Sequence, residues 1–313
     1  KVNFSGGPNF AYDLCIENIS EEEKKSLDLS SWKIAFNGAE PIKAETLITF
    51  EENFKSCHFS KTAFYPIYGL AETTVFCTGG LPNEKPLFLD VDKSALSNNR
   101  VISPETPADK KTLVSCGKSW NQQRIKIIDP NTMTESPKNW VGEVWAQGPN
   151  ISLGYWNNPE LTKETFGAHI LNTREGPFLR TGDLGFLSHD NDLFITGRIK
   201  DMMIIHGKNI YPQDIENEIE NLSNKITING CSTFEYQDND RHKIVSVIEI
   251  ERTHLKTFDP VKLKQKISQH ILNEFNLNLS DIMFIKPMSL PKTSSGKIKH
   301  LSNRKLFLQE KIP

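Results

Sequence analysis

The sequence predicts an α/β domain followed by a smaller α+β module. The first two-thirds of the chain alternates short apolar runs with glycine-rich turns, as the strands of an open α/β fold do. After Lys200 the pattern changes to strand, helix and strand in a compact segment. A length of 313 residues agrees with two domains. We place the first domain over 1–199 and the second over 200–313.

Four runs in the first domain each predict a strand that leads to a glycine. Ligands usually bind where the strands of open α/β folds end. We therefore expect a binding site near some of these glycines. The runs are WKIAFNG, FYPIYG, EVWAQG and DLFITG, which end at Gly38, Gly69, Gly148 and Gly197.

The segment Leu81–Thr112 interrupts this alternation. Its proline, asparagine and charged residues predict an inserted surface segment rather than a core element. An ordinary loop extension would have the same composition, so the residues alone leave both interpretations open.

The second domain begins with a predicted amphipathic helix, YPQDIENEIENL. Ile215, Ile219 and Leu222 fall on one helical face, and Pro212 lies near the start. The next run, HKIVSVIEIE, alternates as a half-buried strand does.

A second helix is predicted in FDPVKLKQKISQHILNEF, with Asp259 as N-cap and Pro260 at the first helical position. A short strand, IMFIKPM, follows this helix. The apolar positions of the helix are Val261, Leu263, Ile267, Ile271 and Phe275.

Composition excludes several classes of protein. The formal charge of −2 gives no general affinity for nucleic acid or an anionic membrane, and no apolar run approaches the ~18 residues of a membrane span. Five scattered cysteines without a C-x-x-C pair argue against a zinc site or a disulfide framework. We expect reduced, mostly buried thiols in a cytoplasmic protein. They are Cys15, Cys57, Cys77, Cys116 and Cys231.

Near the end of the chain, PKTSSGKIKH (291–300) favours neither helix nor strand. Thr293, Ser294 and Ser295 prefer bonds to nearby backbone, and Gly296 frees it further. We therefore expect a mobile loop, which is either a solvated basic tail or a means of bringing one lysine to an anionic substrate. Its lysines are Lys292, Lys297 and Lys299.

Three predicted strand ends carry groups suited to a nucleotide. Tyr68 and Gly69 offer an aromatic face beside bare backbone, which suits a purine base, although a tyrosine beside a glycine is also common in cores. Glu72 supplies a carboxylate, which a magnesium ion favours. Asp183, in a Thr-Gly-Asp turn, either accepts ribose hydroxyls or stabilises its own turn. Arg198, directly after a strand, suits a second ribose or phosphate contact.

In this order, six stretches resemble the serial motifs of the adenylate-forming superfamily, which includes acyl-CoA synthetases, luciferases and nonribosomal adenylation domains. The resemblance covers nearly the whole chain. It implies the later part of a large N-terminal adenylation domain followed by a small, mobile C-terminal domain. The stretches are NGAEP (37–41), YGLAE (68–72), GYWNNPELTKETF (154–166), LRTGD (179–183), GRIKDMMIIHGKNIYPQDIE (197–216) and PKTSSGKIKH (291–300).

Within the superfamily, the chain is most similar to the fatty acyl-AMP ligases. SGGPNFAYDLC near the start and NIYPQDIE carry this resemblance. Residues 81–112 lie where these ligases have an insertion that CoA-forming relatives lack. Ala71 stands where many relatives have a threonine whose hydroxyl contacts the α-phosphate, and this chain lacks that hydroxyl.

The resemblance implies a ligase that uses ATP and Mg²⁺ to convert a fatty acid to acyl-adenylate and pyrophosphate. The acyl group would then pass to the phosphopantetheine of an acyl carrier protein or of a polyketide synthase carrier domain. Lys297 would be the catalytic lysine, Glu72 would hold magnesium and Lys200 would be the hinge. The implied ATP and AMP contacts are Gly38, Ala39, Glu40, Pro41, Tyr68, Gly69, Asp183 and Arg198. The implied acyl-pocket residues are Phe10, Ala11 and Tyr12.

The superfamily's Ser/Thr/Gly-rich phosphate loop, which normally precedes these motifs, is not found in the sequence. We therefore expect these 313 residues to have little or no activity alone. Two alternatives stay open: an acyl-CoA synthetase, and a catalytically silent module that binds a carrier protein. The presence of Glu72, Asp183, Arg198 and Lys297 argues against the silent module.

Overall fold

The computed structural model describes residues 1–120, 122–238, 241–293 and 296–309. The chain divides into two compact units, Lys1–Lys200 and Asp201–Pro313. Lys200, where we expected the border and the hinge, is the last residue of the first unit and is exposed. Its role as a hinge stays a prediction.

The first unit contains both helices and strands. Its helices are α1 (Asn9–Asn18), α2 (Glu21–Lys24), α3 (Ala44–Phe54), α4 (Lys93–Leu96) and α5 (Pro159–Phe166). Its strands are β1 (Phe4–Gly7), β2 (Ile34–Asn37), β3 (Phe64–Tyr68), β4 (Thr78–Gly79), β5 (Phe88–Asp92), β6 (Lys110–Val114), β7 (Lys118–Ser119), β8 (Arg124–Asp129), β9 (Thr134–Glu135), β10 (Gly142–Gln147), β11 (Leu179–Leu187) and β12 (Leu193–Arg198).

A sheet with the order β1-β2-β3-β4-β7 positions the first group of candidate residues. Strands β1, β2 and β3 are parallel, while β4 and β7 are antiparallel additions. Because β2 and β3 are parallel neighbours, with Asn37 opposite Pro66, the segments that follow them leave the same edge of the sheet. A cluster of aromatic rings from α1, α3 and β3, including Tyr12, Phe50 and Phe64, forms the adjoining core.

A second sheet, β12-β11-β10-β8-β9, is antiparallel and positions the second group. The four predicted strands are confirmed as β2, β3, β10 and β12, but only the first two belong to the partly parallel sheet. Gly197 lies inside β12 rather than after it, so the prediction of a glycine turn at this point is wrong. The strand continues because Gly197 pairs with Leu184 of β11.

The segment 81–112 has more regular structure than predicted. It contains β5, α4 and the start of β6, and β5 pairs with β6 as an antiparallel hairpin. Most of its residues are exposed, but Val91 (1 % exposed) and Leu96 (3 %) are buried. The expectation of a segment without core residues is therefore wrong. Its status as a family insertion stays a prediction.

The second unit contains a three-stranded sheet, β15-β16-β17, with helices on both faces. Its strands are β13 (Met203–Ile205), β14 (Lys208–Ile210), β15 (Ile226–Asp238), β16 (Arg241–Ile250) and β17 (Asp281–Ile285). Its helices are α6 (Pro212–Asn221), α7 (Pro260–Phe275) and α8 (His300–Leu308).

The two predicted helices of this unit are confirmed. Ile215 and Ile219 are fully buried, and the Asp259 side chain accepts hydrogen bonds from the first turn of α7. Val261 is 66 % exposed, so its predicted place in the core is wrong; it lies in the first turn of α7, beside the N-cap. Strand β16 is also buried on both faces rather than half-buried, because it is the central strand and helices cover both sides.

The structure also bears on the predictions about cysteines, membrane spans and metal sites. All five cysteines are free thiols and four of them are buried, as expected. Within the described ranges, no helix combines the length and apolar character that crossing a membrane requires. Those ranges also contain no group of three or more His, Cys, Asp or Glu side chains that could hold a metal ion.

Candidate functional site

Tyr68, Asp183 and Arg198 meet in the first unit. The Tyr68 hydroxyl donates to Asp183 Oδ2 at 2.8 Å, and Arg198 Nε donates to Asp183 Oδ1 at 2.8 Å. Both carboxylate oxygens therefore have a protein partner, and among the described residues about two further lone-pair positions stay available to accept hydrogen bonds. The Asp183 side chain is 11 % exposed and that of Arg198 is 50 % exposed, so the group extends from the core to the surface.

Strand register brings the aspartate and the arginine together. Asp183 and Arg198 are direct partners in the antiparallel pair of β11 and β12. Asp183 lies within β11, so the predicted position at a strand end is wrong. Gly182, with φ +72°, and a register shift in β10 and β11 give the local bend that sequence reasoning interpreted as a turn.

The buried carboxylate of Glu143 stabilises this bend by hydrogen bonds. Glu143 is 2 % exposed and accepts hydrogen bonds from Arg180 Nε and Nη2, Trp145 Nε1 and the Gly182 amide. A buried charge is tolerated only when it is paired and hydrogen-bonded in this way. The network therefore fixes the backbone that immediately precedes Asp183.

The Tyr68 ring differs from the expected open aromatic face. Only 8 % of the residue is exposed, and its ring packs in a core cluster with Cys77, Val144 and Leu179. Burial, followed by the negative charge of Asp183, raises the pKa of Tyr68 well above its usual value of 10.0. The residue therefore presents a permanently protonated hydroxyl to Asp183, rather than a free ring face.

Gly38 and Gly69 are required by the packing of the chain on itself. A Cβ at Gly69 would lie 1.8 Å from the Val75 carbonyl oxygen, and one at Gly38 would lie 2.7 Å from Ile67 Cγ1. Either side chain would displace backbone or a neighbouring strand. The absence of a side chain at these two positions thus serves the packing of the protein itself, and a close approach to a ligand stays a prediction.

Residues 38–41 are anchored to the start of α1. Glu40 Oε1 accepts a hydrogen bond from the backbone amide of Asn9 at 2.7 Å, so the negative charge of Glu40 lies at the N-terminus of α1, where it is stabilising. The buried Asn9 side chain also donates to the Pro41 carbonyl and accepts from the Lys43 amide. Ala39 is exposed, with φ +71°, so it is the member of this group most open to a ligand.

Glu72 lies in the short helical turn Ala71–Thr73 and is held by Tyr155. The Tyr155 hydroxyl donates to Glu72 Oε1 at 2.6 Å, and the Ser152 amide donates to the Glu72 carbonyl at 2.8 Å. Partial burial and then the hydrogen bond to Glu72 raise the pKa of Tyr155 to about 12. Oε2 of Glu72 makes no hydrogen bond within the described ranges.

This donor set fits magnesium only in one way. A single carboxylate with one oxygen available provides too few ligands for a site made of protein alone. Magnesium, however, is commonly bound by one or two carboxylates together with substrate phosphates and water. Glu72 is therefore compatible with a magnesium ion that arrives with a nucleotide.

The predicted acyl-pocket residues differ in exposure. Tyr12 is 3 % exposed, its ring stacks against Trp32, and its hydroxyl donates to the Phe36 carbonyl at 2.8 Å. It is thus part of the aromatic core. Phe10 and Ala11 are partly exposed and are the two members able to contact a ligand in this arrangement. The pocket itself stays a prediction.

Lys297 lies in the second unit and is exposed. The described part of its loop is closed by hydrogen bonds, because the Thr293 amide donates to the Lys297 carbonyl at 2.8 Å and Lys292 bridges to Ile298. The mobility that we expected for this loop stays a prediction. Ser294 and Ser295, which that expectation included, lie outside the described residues.

Sequence reasoning missed four residues that hold the site together. Tyr155 lies in the motif GYWNNPELTKETF, and its side-chain hydroxyl was the only feature that could have marked it as a hydrogen-bonding residue of the site. Asn9 immediately precedes the predicted acyl residues, and Glu143 begins the predicted strand EVWAQG. Arg180 lies in the LRTGD stretch. Their partners are far away in the sequence, so no local pattern could have identified them.

Two family profiles match different parts of the chain. The profile described as AMP-binding enzyme matches residues 1–156. The profile described as Disco-interacting protein 2-like, AMP domain, matches residues 200–313.

Individual relatives agree with these profiles. The chain is 40% identical over 313 residues to the medium-chain-fatty-acid–acyl-carrier-protein ligase JamA of Moorena producens (strain JHB). This alignment covers 99% of this chain and 52% of that protein. It is 35% identical over 319 residues to the corresponding ligase TtuA of Teredinibacter turnerae, covering 100% of this chain and 50% of that protein. The chain thus spans about half the length of the curated relatives it matches.

A solved structure from work on fatty acyl-adenylate ligases of E. coli and L. pneumophila has a similar mixed α/β fold. It superposes with a TM-score of 0.85 at 31% sequence identity, over 98% of this chain and 53% of that chain. The two profiles, the relatives and the fold agree with the six motifs. The chain therefore belongs to the AMP-binding enzyme family, in which its relatives include fatty acyl-adenylate ligases.

Proposed function

We propose that the whole protein activates a fatty acid with ATP and transfers the acyl group to a carrier protein. The observation that carries this proposal is the group formed by Tyr68, Asp183 and Arg198 in a member of the AMP-binding family. An aspartate with open lone-pair positions beside a half-exposed arginine suits the ribose hydroxyls and a phosphate of a nucleotide. Gly38, Ala39, Glu40, Pro41 and Gly69 would border the base.

In the first step, a carboxylate oxygen of the fatty acid attacks the α-phosphorus of ATP. A new P–O bond forms, the bond to the bridging oxygen of the β-phosphate breaks, and its electron pair leaves with pyrophosphate. Negative charge grows on the phosphate oxygens, so a fixed cation has its largest effect there. Lys297 is the proposed cation. Magnesium, bound through Glu72 and the phosphates, would neutralise part of the same charge.

In the second step, the thiol of phosphopantetheine attacks the acyl carbonyl carbon. The S–C bond forms, AMP leaves with the electron pair of the C–O bond, and the thiol proton passes to solvent. This reaction does not use Lys297, and we propose that its unit moves before the acceptor enters, with Lys200 as the hinge. Two relatives are named as acyl-carrier-protein ligases, which supports a carrier protein as the acceptor.

One assay of the whole protein tests this function. We would incubate it with ATP, magnesium and medium-chain fatty acids, and add either CoA or a phosphopantetheinylated carrier protein. We expect acyl-AMP in every reaction that contains fatty acid, and a thioester only with the carrier protein. Absence of acyl-AMP would overturn the proposal.

The second candidate is an acyl-CoA synthetase, and the same assay would reveal it by CoA thioester. The segment 81–112 favours the carrier protein, because its β5–β6 hairpin and the pairing of Arg100 with Trp140 make it a fixed part of the first unit. A fixed insertion would restrict the motion that builds a CoA site. Replacing residues 93–109 by Asn-Gly, which suits a two-residue hairpin, should raise acyl-CoA output, and unchanged output would count against this explanation.

The third alternative, a silent carrier-binding module, predicts carrier binding without ATP binding. Isothermal titration with ATP and, separately, with the carrier protein would distinguish it from both ligases.

A further inference from the structure

Two buried carboxylates of the second unit hold the loop that carries Lys297. We define the lysine loop as residues 290–300, of which Ser294 and Ser295 lie outside the described residues. Each end of this loop bonds to a different glutamate.

Glu249 holds the beginning of the lysine loop. It lies on β16, the central strand of the sheet, and is fully buried. Its Oε1 accepts a hydrogen bond from the Leu290 amide at 2.7 Å, and its Oε2 pairs with Lys292 Nζ at 2.9 Å. The side chain of Lys292 is 23 % exposed. Lys292 is thus committed to the interior of the unit rather than available to a ligand.

Glu216 holds the end of the lysine loop. It lies on α6, is 6 % exposed, and its Oε1 pairs with His300 Nε2 at 2.8 Å. The same oxygen accepts a hydrogen bond from the Thr233 amide at 2.6 Å, which ties α6 to β15. His300 is the first residue of α8, so the pair fixes the point at which the loop becomes helix.

Between these two ends, the backbone of the lysine loop is closed on itself. Asn229 Nδ2 donates to the Gly296 carbonyl at 2.8 Å. The Lys297 amide donates to Thr293 Oγ1 at 3.0 Å, and the Lys299 amide donates to the Pro291 carbonyl at 3.0 Å. Lys297 therefore projects from a turn whose described backbone is bonded on both sides.

Charge burial makes these two attachments hard to release. A carboxylate that loses its partner inside a protein is strongly destabilised, whereas replacing both members of a pair is often nearly neutral. If the lysine loop left its place, Glu249 and Glu216 would each lose a counter-charge. The position of Lys297 is therefore coupled to the core of the second unit.

We propose that Lys292 and His300 are positioning residues, which hold Lys297 in the geometry needed for adenylate formation by pairing with Glu249 and Glu216. This inference rests on the proposed function, because it assigns Lys297 to the first half-reaction. It predicts that the loop's attachments matter for adenylate formation and not for transfer of a ready-made acyl-adenylate.

The test uses the whole protein and a double variant, Lys292→Met with Glu249→Gln. The double variant removes both charges, so it avoids an unpaired buried carboxylate that would strongly destabilise the protein. Lys299→Met is the matched control, since Lys299 is an exposed lysine of the same loop. The single variant Lys292→Met shows the destabilisation that the double variant should relieve.

We expect the double variant to fold and its kcat for ATP–pyrophosphate exchange to fall about 10- to 100-fold, because a small misplacement of a catalytic group has an effect of this size. The KM for ATP should change little, since Lys297 acts on the transition state. Transfer of supplied acyl-AMP to the carrier protein should keep the wild-type rate. A merely structural role would lower the rates of both half-reactions together, and that result would overturn the proposal. An equal loss of exchange rate in Lys299→Met would also overturn it.

Hydrogen exchange separates this inference from the proposed function. The amides of Lys297 and Lys299 should exchange at least about tenfold faster in the double variant than in the wild type, because their bonds depend on the loop's attachment. This readout needs no activity, so it stays decisive if the wild type makes no acyl-AMP. Unchanged exchange at both amides would overturn the positioning role even in an active ligase.

Discussion

The Tyr68 hydroxyl donates to Asp183 Oδ2 at 2.8 Å, although the two residues are 115 positions apart in the sequence. Tyr68 ends a strand of the partly parallel sheet, and Asp183 lies in the antiparallel sheet. This bond therefore joins the two sheets of the first unit at the proposed nucleotide site. It makes the site dependent on the packing of both sheets.

Tyr68→Phe removes the donor and leaves the Asp183 carboxylate with one partner fewer. We expect the free energy of unfolding to fall by about 1.5–3 kcal/mol, the usual value of a hydrogen bond to a charged group. Chemical denaturation measures this loss. Tyr65→Phe is the matched control, because the Tyr65 hydroxyl makes no hydrogen bond among the described residues. Equal losses in the two variants would contradict the importance of the bond.

Glu143→Gln removes the charge that pairs with Arg180 beneath the Asp183 bend. Breaking a buried pair costs about 3–5 kcal/mol, and we expect the lower end because Arg180 is 29 % exposed and can be hydrated. AMP affinity in the whole protein should also fall, since the Gly182 amide loses part of its support. Thermal unfolding and AMP titration measure the two effects.

The control for that variant is Glu135→Gln, which breaks the surface pair with Lys126. The Glu135 side chain is 53 % exposed, so we expect the free energy of unfolding to fall by no more than about 1 kcal/mol and AMP affinity to stay unchanged. If Glu143→Gln were equally mild, the buried network would not be the support of Asp183.

Tyr155→Phe removes the hydrogen bond that orients Glu72. We expect the magnesium concentration needed for half-maximal adenylate formation to rise about tenfold, as when other residues that orient metal ligands are lost. The rate at saturating magnesium should stay close to that of the wild type. Because the pKa of Tyr155 is raised to about 12, its hydroxyl remains a donor throughout the neutral range and the wild-type response should not change there. An unaltered magnesium requirement would refute the orienting role.

Lys297→Ala removes the proposed cation at the α-phosphate. We expect ATP–pyrophosphate exchange by the whole protein to fall about 10²–10³-fold, as when a comparable preorganised donor is lost. Lys299→Ala provides the comparison within the same loop. Exchange that survived the loss of Lys297 would exclude this lysine from the first half-reaction.

The pair of His300 and Glu216 predicts a dependence of stability on pH. Burial lowers the pKa of His300, but the charge of Glu216, its hydrogen bond and the charge of Asp201 raise it, against the opposing charge of Lys297. The net result is a pKa above the usual 6.5. The pair's contribution is therefore full below pH 6.5 and is lost as the pH rises through the folded pKa.

His300→Gln keeps a side-chain donor but removes the titrating charge. We expect it to reduce the free energy of unfolding more at about pH 6 than at about pH 9, when both proteins are compared by denaturant titration. A difference that is the same at both pH values would mean that the charge of His300 does not contribute.

Local features of the sequence determined the elements of this fold. The N-cap Asp259 and the apolar spacing of α7, or Ile215 and Ile219 in α6, depend on residues a few positions apart, so they can be read from the chain directly. The same holds for β2 and β3, whose apolar runs end at glycines. The six motifs likewise identified the family, because each one is a contiguous stretch.

The tertiary structure alone decided which side chains meet. Asp183 is bonded to Arg198 through the register of β11 and β12 and to Tyr68 through the packing of two sheets. The burial of the carboxylates Glu143 and Glu249 could not be predicted from the sequence either, because an acidic residue is stable in a core only beside partners that are distant in the chain. Sequence spacing specifies backbone conformation over a few residues, whereas partners far apart in the chain are fixed only when the strands pair and the helices pack on them.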